Sequence, residues 1–263
     1  MSKEEIAERI QNPLDRRKFV TRAGVAGLGV AAMAMLGGSP GKLEAATAIT
    51  DADILNFALN LEYLEAEFYL MVTWGTTLQR LGVLNSSQVS GPTTGGQMVS
   101  SVNFAFAASA LRTDEVAHVK LLRNALGSAA VKKPAINLDA LGYGFANFHD
   151  FLKLGRQFED VGISAYLGAA PAITNKAYLL TAAEILATEA QHSGAVRLAC
   201  IWYGVTSPAV DSLDVPPSQA KPFDVDTNAL SIPRTTSQVL KIVYGGGTHS
   251  GGFYPDGMNG TIK

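Results

Sequence analysis

The chain has 263 residues, of which 47% are hydrophobic and 17% are charged, a composition typical of a globular protein and not of a disordered one. Its formal net charge is −2, and residues 49–263 alone carry 14 Lys and Arg against 18 Asp and Glu. Such a mildly acidic chain is not expected to bind the phosphate backbone of a nucleic acid. Cys200 is the only cysteine, which excludes an internal disulfide, so the fold must be held by its core.

Residues 1–48 have the pattern of an export signal. Arg16 and Arg17 precede an apolar run rich in Gly and Ala at 24–36, and an Ala-x-Ala site stands at 46–48. The run is too short to cross a bilayer comfortably, and a basic flank is typical of a signal peptide. The paired arginines resemble a twin-arginine signal, which predicts export by the twin-arginine machinery and a periplasmic or otherwise extracytoplasmic location. An uncleaved membrane anchor is the alternative.

Four long helical patterns follow the export signal, because apolar residues recur at helical spacing without interruption by Gly-Pro clusters. Asp51 or Asp53 is placed to cap the first helix, and Gly127 is placed to end the second. A long loop rich in Gly, Ser and Thr separates the first two helices. The predicted helices, in chain order, cover residues 50–74, 99–126, 147–170 and 176–203.

These patterns, without a convincing strand, predict an all-α fold: a four-helix bundle over residues 49–204, with one crossover connection. The longer linker between the second and third helices provides the crossover, whereas the third and fourth are joined by a short turn. Residues 205–263 are irregular and rich in Pro and Gly, with a short helix predicted at 235–243. They are expected to form an extension that wraps the bundle.

The helices repeat one another in pairs. "EVAHVKLLR" at 115–123 matches "EAQHSGAVR" at 189–197, and "NLEYLEAEFYL" at 60–70 matches "QFEDVGISAYL" at 157–167. A Glu and a His three residues apart stand on one face of a helix, as do a Glu and a Tyr seven residues apart. The chain therefore reads as two copies of one helical hairpin. The matched residues are Glu62 with Glu159, Tyr69 with Tyr166, Glu115 with Glu189, and His118 with His192.

Four Glu and two His in a bundle core are the donor set of a di-metal carboxylate site. Buried charges need partners, and four carboxylates balance two divalent cations. Oxygen-rich ligation with one nitrogen per metal favours two iron or two manganese ions over a metal that prefers thiolates. The predicted metal ligands are Glu62, Glu115, His118, Glu159, Glu189 and His192. A bundle with polar pairs and no metal is the alternative, and His149 and His249 are predicted to be ordinary polar residues.

These motifs resemble the ferritin-like superfamily and, within it, the exported ferritin-like group related to plant desiccation proteins. The resemblance covers about residues 48–203, and the tail segments "VLKIVYGGG" and "GGFYPDGMNG" are similar to that group as well. It implies that Glu62 and Glu159 are terminal ligands, that Glu115 and Glu189 bridge the metals, and that each metal has one histidine.

The same resemblance implies a function. Tyr69 and Tyr166 match an aromatic position near the metals in relatives and are candidate catalytic residues. An oxidoreductase acting on peroxide or oxygen in stress protection is expected, catalase-like with manganese or ferroxidase-like with iron. The alternative is a non-catalytic metal-binding or structural protein of the stress- or desiccation-related kind, in which the metal site staples the bundle.

Some features depart from storage ferritins. The loop after the first helix is long, and no fifth helix of the cage-forming kind follows the fourth, so a hollow iron-storage shell is not expected; a homo-oligomer is left open. Glu65 competes with Glu62 as a ligand, but Gly162 stands at the position matched to Glu65 and favours Glu62. Arg123 and Arg197 also match, and we interpret them as structural.

Overall fold

The structure is a computed structural model that describes residues 49–99 and 105–263. In this part of the chain, helices form a bundle. The helices of this described part are α1 (Asp51–Trp74), α2 (Ala105–Leu126), α3 (Phe148–Ala169), α4 (Lys176–Trp202) and the short α5 (Thr236–Val243). The prediction of an all-α helical bundle is confirmed. The predicted export signal at 1–48 and the predicted helical residues 100–104 lie outside the described residues, and the domain boundaries stay predictions.

The start of α1 is set by local side-chain chemistry. Thr50 is the N-cap: its hydroxyl accepts a hydrogen bond from the Asp53 backbone, and the Asp53 carboxylate accepts one from the Thr50 backbone at 2.8 Å. This reciprocal pair is a capping box. The prediction that Asp51 or Asp53 is the cap is therefore wrong. Asp51 instead accepts hydrogen bonds from the backbones of Thr174 and Asn175, and so ties α1 to the turn between α3 and α4.

A two-residue parallel ladder joins the two longer connections, which the sequence did not predict. Strand β1 (Thr93–Thr94) lies in the α1–α2 connection, and β2 (Ile136–Asn137) lies in the α2–α3 connection. Two residues are too few to give an alternating pattern in the sequence. Behind the ladder, the buried Lys133 ammonium lies 3.9 Å from a carboxylate oxygen of Glu67 on α1.

The helices pack as two hairpins, α1 with α2 and α3 with α4. Every residue of α1 from Ile54 to Val72 is buried, so this helix is enclosed on all sides and its polar residues have to be satisfied inside the protein. In the described part of the chain, no helix combines the length and apolar character needed to span a membrane.

Residues that follow α4 lie against α1 and α3. The Tyr254 hydroxyl donates to the Asn60 carbonyl at 2.7 Å, and the ring of Phe253 lies 5.0 Å from that of Phe158. The backbone N–H of Arg234 donates to the carbonyl of Ser164 at 3.0 Å. Through these contacts the tail covers part of α1 and of α3.

Candidate metal centre

The structure brings all the predicted ligands together in the bundle core. α1 and α3 contribute one glutamate each, and α2 and α4 contribute a glutamate and a histidine each. The carboxylate residues are at most 1% exposed, and the histidines are 7% and 6% exposed. The residues that meet there are Glu62, Glu115, His118, Glu159, Glu189 and His192.

One group of ligands surrounds the Nδ1 atom of His118. Glu189 Oε1 lies 3.1 Å from that nitrogen, Glu62 Oε2 lies 3.2 Å from it, and Glu115 Oε2 lies 3.3 Å from it. One candidate ligand atom from each of these residues lies within 4.8 Å of all the others. Such spacing suits one small cation with a single nitrogen ligand.

A second group surrounds the Nδ1 atom of His192. Glu115 Oε1 lies 2.9 Å from this nitrogen, Glu159 Oε2 lies 3.5 Å from it, and Glu189 Oε2 lies 4.0 Å from it. Glu115 and Glu189 therefore belong to both groups and turn one oxygen toward each histidine. The two imidazole rings are 6.1 Å apart between centroids.

The donor atoms themselves fit cations. Buried polar atoms are nearly always hydrogen-bonded, and several unpaired ones at one place call for another partner. Within the described residues, the site atoms that are buried without a well-aligned hydrogen bond, although some lie close to one another, are Glu62 Oε2, Glu115 Oε1, Glu159 Oε2, both carboxylate oxygens of Glu189, and His192 Nδ1. The cluster is thus compatible with a di-metal site.

The electrostatic environment of the site raises the pKa of several of its side chains. Burial raises the pKa of Glu115 to about 7, and burial together with neighbouring carboxylates raises the pKa of Glu189 well above its ordinary value. Burial alone would lower the pKa of each histidine, but the close glutamate carboxylates outweigh it, raising the pKa of His192 to about 12 and that of His118 well above its ordinary value. The cluster therefore holds protons that bound cations would displace.

Both predicted tyrosines touch the cluster, and each reaches across to the other hairpin. Tyr166 on α3 donates a hydrogen bond to Glu62 Oε1 on α1 at 2.6 Å, and Tyr69 on α1 donates to Glu159 Oε1 on α3. Burial raises the pKa of both phenols well above its ordinary value, so both remain donors. The sequence matched each Glu with the Tyr of its own helix and did not reveal this exchange.

Glu65 lies beside the cluster but in neither ligand group. Its side chain is buried, and a Cβ atom added to Gly162 would stand 3.0 Å from Glu65 Oε1 and 3.5 Å from Glu189 Oε2. The glycine on α3 therefore leaves the space into which Glu65 extends. Burial and then the charge of Glu189 raise the pKa of Glu65 well above its ordinary value. Glu62, and not Glu65, faces a histidine.

Asp114 is a neighbour of the site that the sequence did not reveal. One of its carboxylate oxygens lies 3.1 Å from His192 Nε2, the ring nitrogen that faces away from the cluster. Asp114 directly precedes Glu115, but spacing along α2 cannot show that its side chain meets a histidine of α4. The sequence shows an acidic residue next to a predicted ligand, but it does not indicate that this acid contacts His192.

The matched arginines lie in structural networks. Arg123 donates to the Tyr63 hydroxyl and to the Val131 carbonyl at 3.1 Å, which fastens α2 to α1 and to the following connection. Arg197 donates to the buried Asp160 carboxylate at 2.6 Å and to carbonyls of residues 215 and 222. These contacts agree with a structural role. The two histidines outside the cluster, at 149 and 249, are exposed.

A four-helix bundle whose core presents glutamates and two Glu-x-x-His pairs defines the class of di-metal carboxylate bundles. The family model described as a ferritin-like domain matches residues 50–201, more than half of the chain. The chain therefore belongs to the ferritin-like domain family. No curated protein matches it.

Proposed function

We propose that this protein is an exported ferritin-like protein that holds two iron or manganese ions and acts as an oxidoreductase on peroxide or oxygen in stress protection. The observation that supports it most directly is the shared pair Glu115 and Glu189. Each turns one carboxylate oxygen toward His118 and the other toward His192. Carboxylates that bridge two adjacent positions are typical of di-metal bundles.

The side chains around the site have separate tasks in this proposal. Bound ions would supply redox chemistry with peroxide or oxygen, catalase-like for manganese and ferroxidase-like for iron. Tyr166 holds Oε1 of Glu62 and Tyr69 holds Oε1 of Glu159, so each carboxylate turns its Oε2 toward a histidine. Glu65, buried beside the cluster with a raised pKa, can hold a proton there.

A second candidate is a non-catalytic metal-binding or structural protein of the desiccation-related kind. The observation that favours it is burial, since the site carboxylates are at most 1% exposed. A closed site filled with metal would hold the four helices together, whereas a catalytic site keeps a coordination position open to its substrate. The two candidates share the ligands and differ in access to them.

Metal content tests the shared part of both candidates. Protein purified without added metals or chelators is analysed by inductively coupled plasma mass spectrometry, and about two iron or manganese ions per chain are expected. Replacing both bridging residues, Glu115→Ala with Glu189→Ala, should abolish binding. The control variant His149→Ala with His249→Ala changes two exposed histidines and should retain the metal. Unchanged metal content in the glutamate variant would reject this site.

Turnover separates the candidates. The metal-loaded wild type is assayed for peroxide consumption, oxygen consumption and Fe(II) oxidation, with the Glu115→Ala and Glu189→Ala double variant as the blank. Consumption by the wild type alone supports the oxidoreductase. A metal-loaded chain that turns over none of these substrates but unfolds at a higher temperature than the metal-free chain supports the structural candidate.

We also propose that the chain is exported by the twin-arginine route and cleaved after residues 46–48. What supports this is the sequence: Arg16 and Arg17 precede a short apolar run and an Ala-x-Ala site. Cell fractionation and the mass of the purified chain test it. Replacing both arginines by lysine should leave the protein inside the cell and uncleaved, and an exported, cleaved double-lysine variant would contradict this route.

A further inference from the structure

The two ends of the metal centre differ in what supports the histidine. At one end, the outer nitrogen of His192 meets the carboxylate of Asp114 at 3.1 Å, while its inner nitrogen faces the glutamates. The Asp114 side chain is 44% exposed and the His192 side chain is 8% exposed, so the contact lies at the solvent edge of the site. A carboxylate in this place holds the imidazole proton on Nε2, so that Nδ1 is the nitrogen that can bind a metal ion.

The other end has no such support. In the internal repeat, Glu115 matches Glu189, and the residue before it, Asp114, matches Thr188. The Thr188 hydroxyl donates to the Glu184 carbonyl of its own helix at 3.3 Å. Within the described residues, every carboxylate at ion-pair distance from His118 faces its Nδ1 atom, so none supports the outer nitrogen.

We propose that Asp114 is a positioning residue that makes the two metal positions unequal, so that the position of His192 and Glu159 fills first. This inference rests on the proposed di-metal function. A hydrogen bond to a carboxylate orients a ligating imidazole and raises its basicity, and loss of such a partner typically costs about 10–100-fold in metal affinity. The position of His118 and Glu62 lacks that contribution and is the weaker one.

Anaerobic titration of the metal-free, full-length chain with cobalt(II), followed by visible absorption and by calorimetry, measures both positions. The wild type should bind two ions in two resolved steps. Asp114→Asn should weaken the tighter step by about 10-fold or more and leave the weaker step in place. Glu184→Gln is the matched control, because it removes one exposed carboxylate from α4 without a contact to a histidine. Thr188→Asp should strengthen the weaker step.

The outcomes separate this inference from the function on which it rests. Wild type with two ions bound at equal affinity, or Asp114→Asn that weakens both steps equally or behaves like Glu184→Gln, overturns the role of Asp114 and leaves the di-metal function standing. A wild-type chain that takes up no cobalt overturns both. Selective loss at the tighter step, with unchanged thermal unfolding of the metal-free variant, establishes a positioning role, since a merely structural role would lower stability and affect both positions.

Discussion

The exchange of tyrosines between hairpins is the residue-scale feature that holds the terminal carboxylates. A buried carboxylate that loses its donor keeps the full cost of desolvation. Tyr69→Phe and Tyr166→Phe each remove one donor, from Glu159 and from Glu62 respectively. Each substitution is expected to lower the free energy of unfolding of the metal-free protein by about 1–3 kcal/mol, as measured by denaturant titration.

Tyr143→Phe is the control for this prediction. Its hydroxyl bonds to a neutral amide, Gln157 Oε1, at 2.8 Å, and its ring is half-buried. The expected loss is about 1 kcal/mol or less, since the bond has no ionised partner. Equal losses in the control and in the two site variants would show that the tyrosines contribute no more to the cluster than an ordinary hydrogen bond does.

The residues of the site could be read from the sequence because helices place ligands at fixed spacing. Glu115 and His118 share one face of a helix wherever that helix packs, and the repeat at Glu189 and His192 made the pattern specific. Contacts between helices could not be read in this way. The pairing of His192 with Asp114 depends on how α2 and α4 cross, which is a property of packing and not of either helix alone.

At the scale of the elements, the burial of α1 has a cost that depends on pH. Glu67 is fully buried, and desolvation, only partly offset by Lys133, raises its pKa to about 7. A carboxyl whose pKa is raised on folding favours the native state while it is protonated, and this contribution is lost as pH rises through the folded pKa. The Glu67 carboxyl therefore lowers stability between about pH 4.5 and pH 8, by about 3 kcal/mol in total.

Glu67→Gln should remove this dependence. Relative to the wild type, the variant is expected to be about 2.5 kcal/mol more stable at pH 8 than it is at pH 5, in denaturant titrations of the metal-free chain at both values. Glu184→Gln is again the control, since it removes an exposed carboxylate, and its difference between the two pH values should be near zero. A Glu67→Gln variant that follows the wild type at both pH values would contradict the assigned cause.

The ends of the helices were predictable to within one residue because their apolar periodicity is long, except at the start of α2: Val99, predicted to be helical, is not, and the described helix begins at Ala105. The connections were not: the β1–β2 ladder has two residues per strand, and the cap of α1 depends on a reciprocal contact between Thr50 and Asp53. Short elements have too few residues to carry a period, and caps are decided by side-chain geometry. Local sequence patterns therefore predict the helices of the bundle, whereas the contacts that join the helices to their connections are seen only in the structure.

At the scale of the whole molecule, the tail after α4 is fastened to the bundle where α3 lacks a side chain. A Cβ atom on Gly168 would stand 1.9 Å from the carbonyl oxygen of Arg234, which no side chain tolerates. Next to it, the Arg234 backbone N–H donates to Ser164, and its guanidinium binds Asp211 at 2.7 Å and 2.9 Å. The glycine thus allows the tail backbone to lie directly on α3.

A matched pair of glycine substitutions tests whether this fastening stabilises the bundle. Gly168→Ala forces the tail away from α3 and is expected to lower the free energy of unfolding by about 1–3 kcal/mol, the usual cost of overpacking. Gly194→Ala, in α4, meets nothing within 4 Å and is expected to raise it by up to about 1 kcal/mol, since alanine favours a helix. Denaturant titration of both variants gives the comparison. If Gly168→Ala were as stable as Gly194→Ala, the contact of the tail with α3 would contribute nothing to the stability of the bundle.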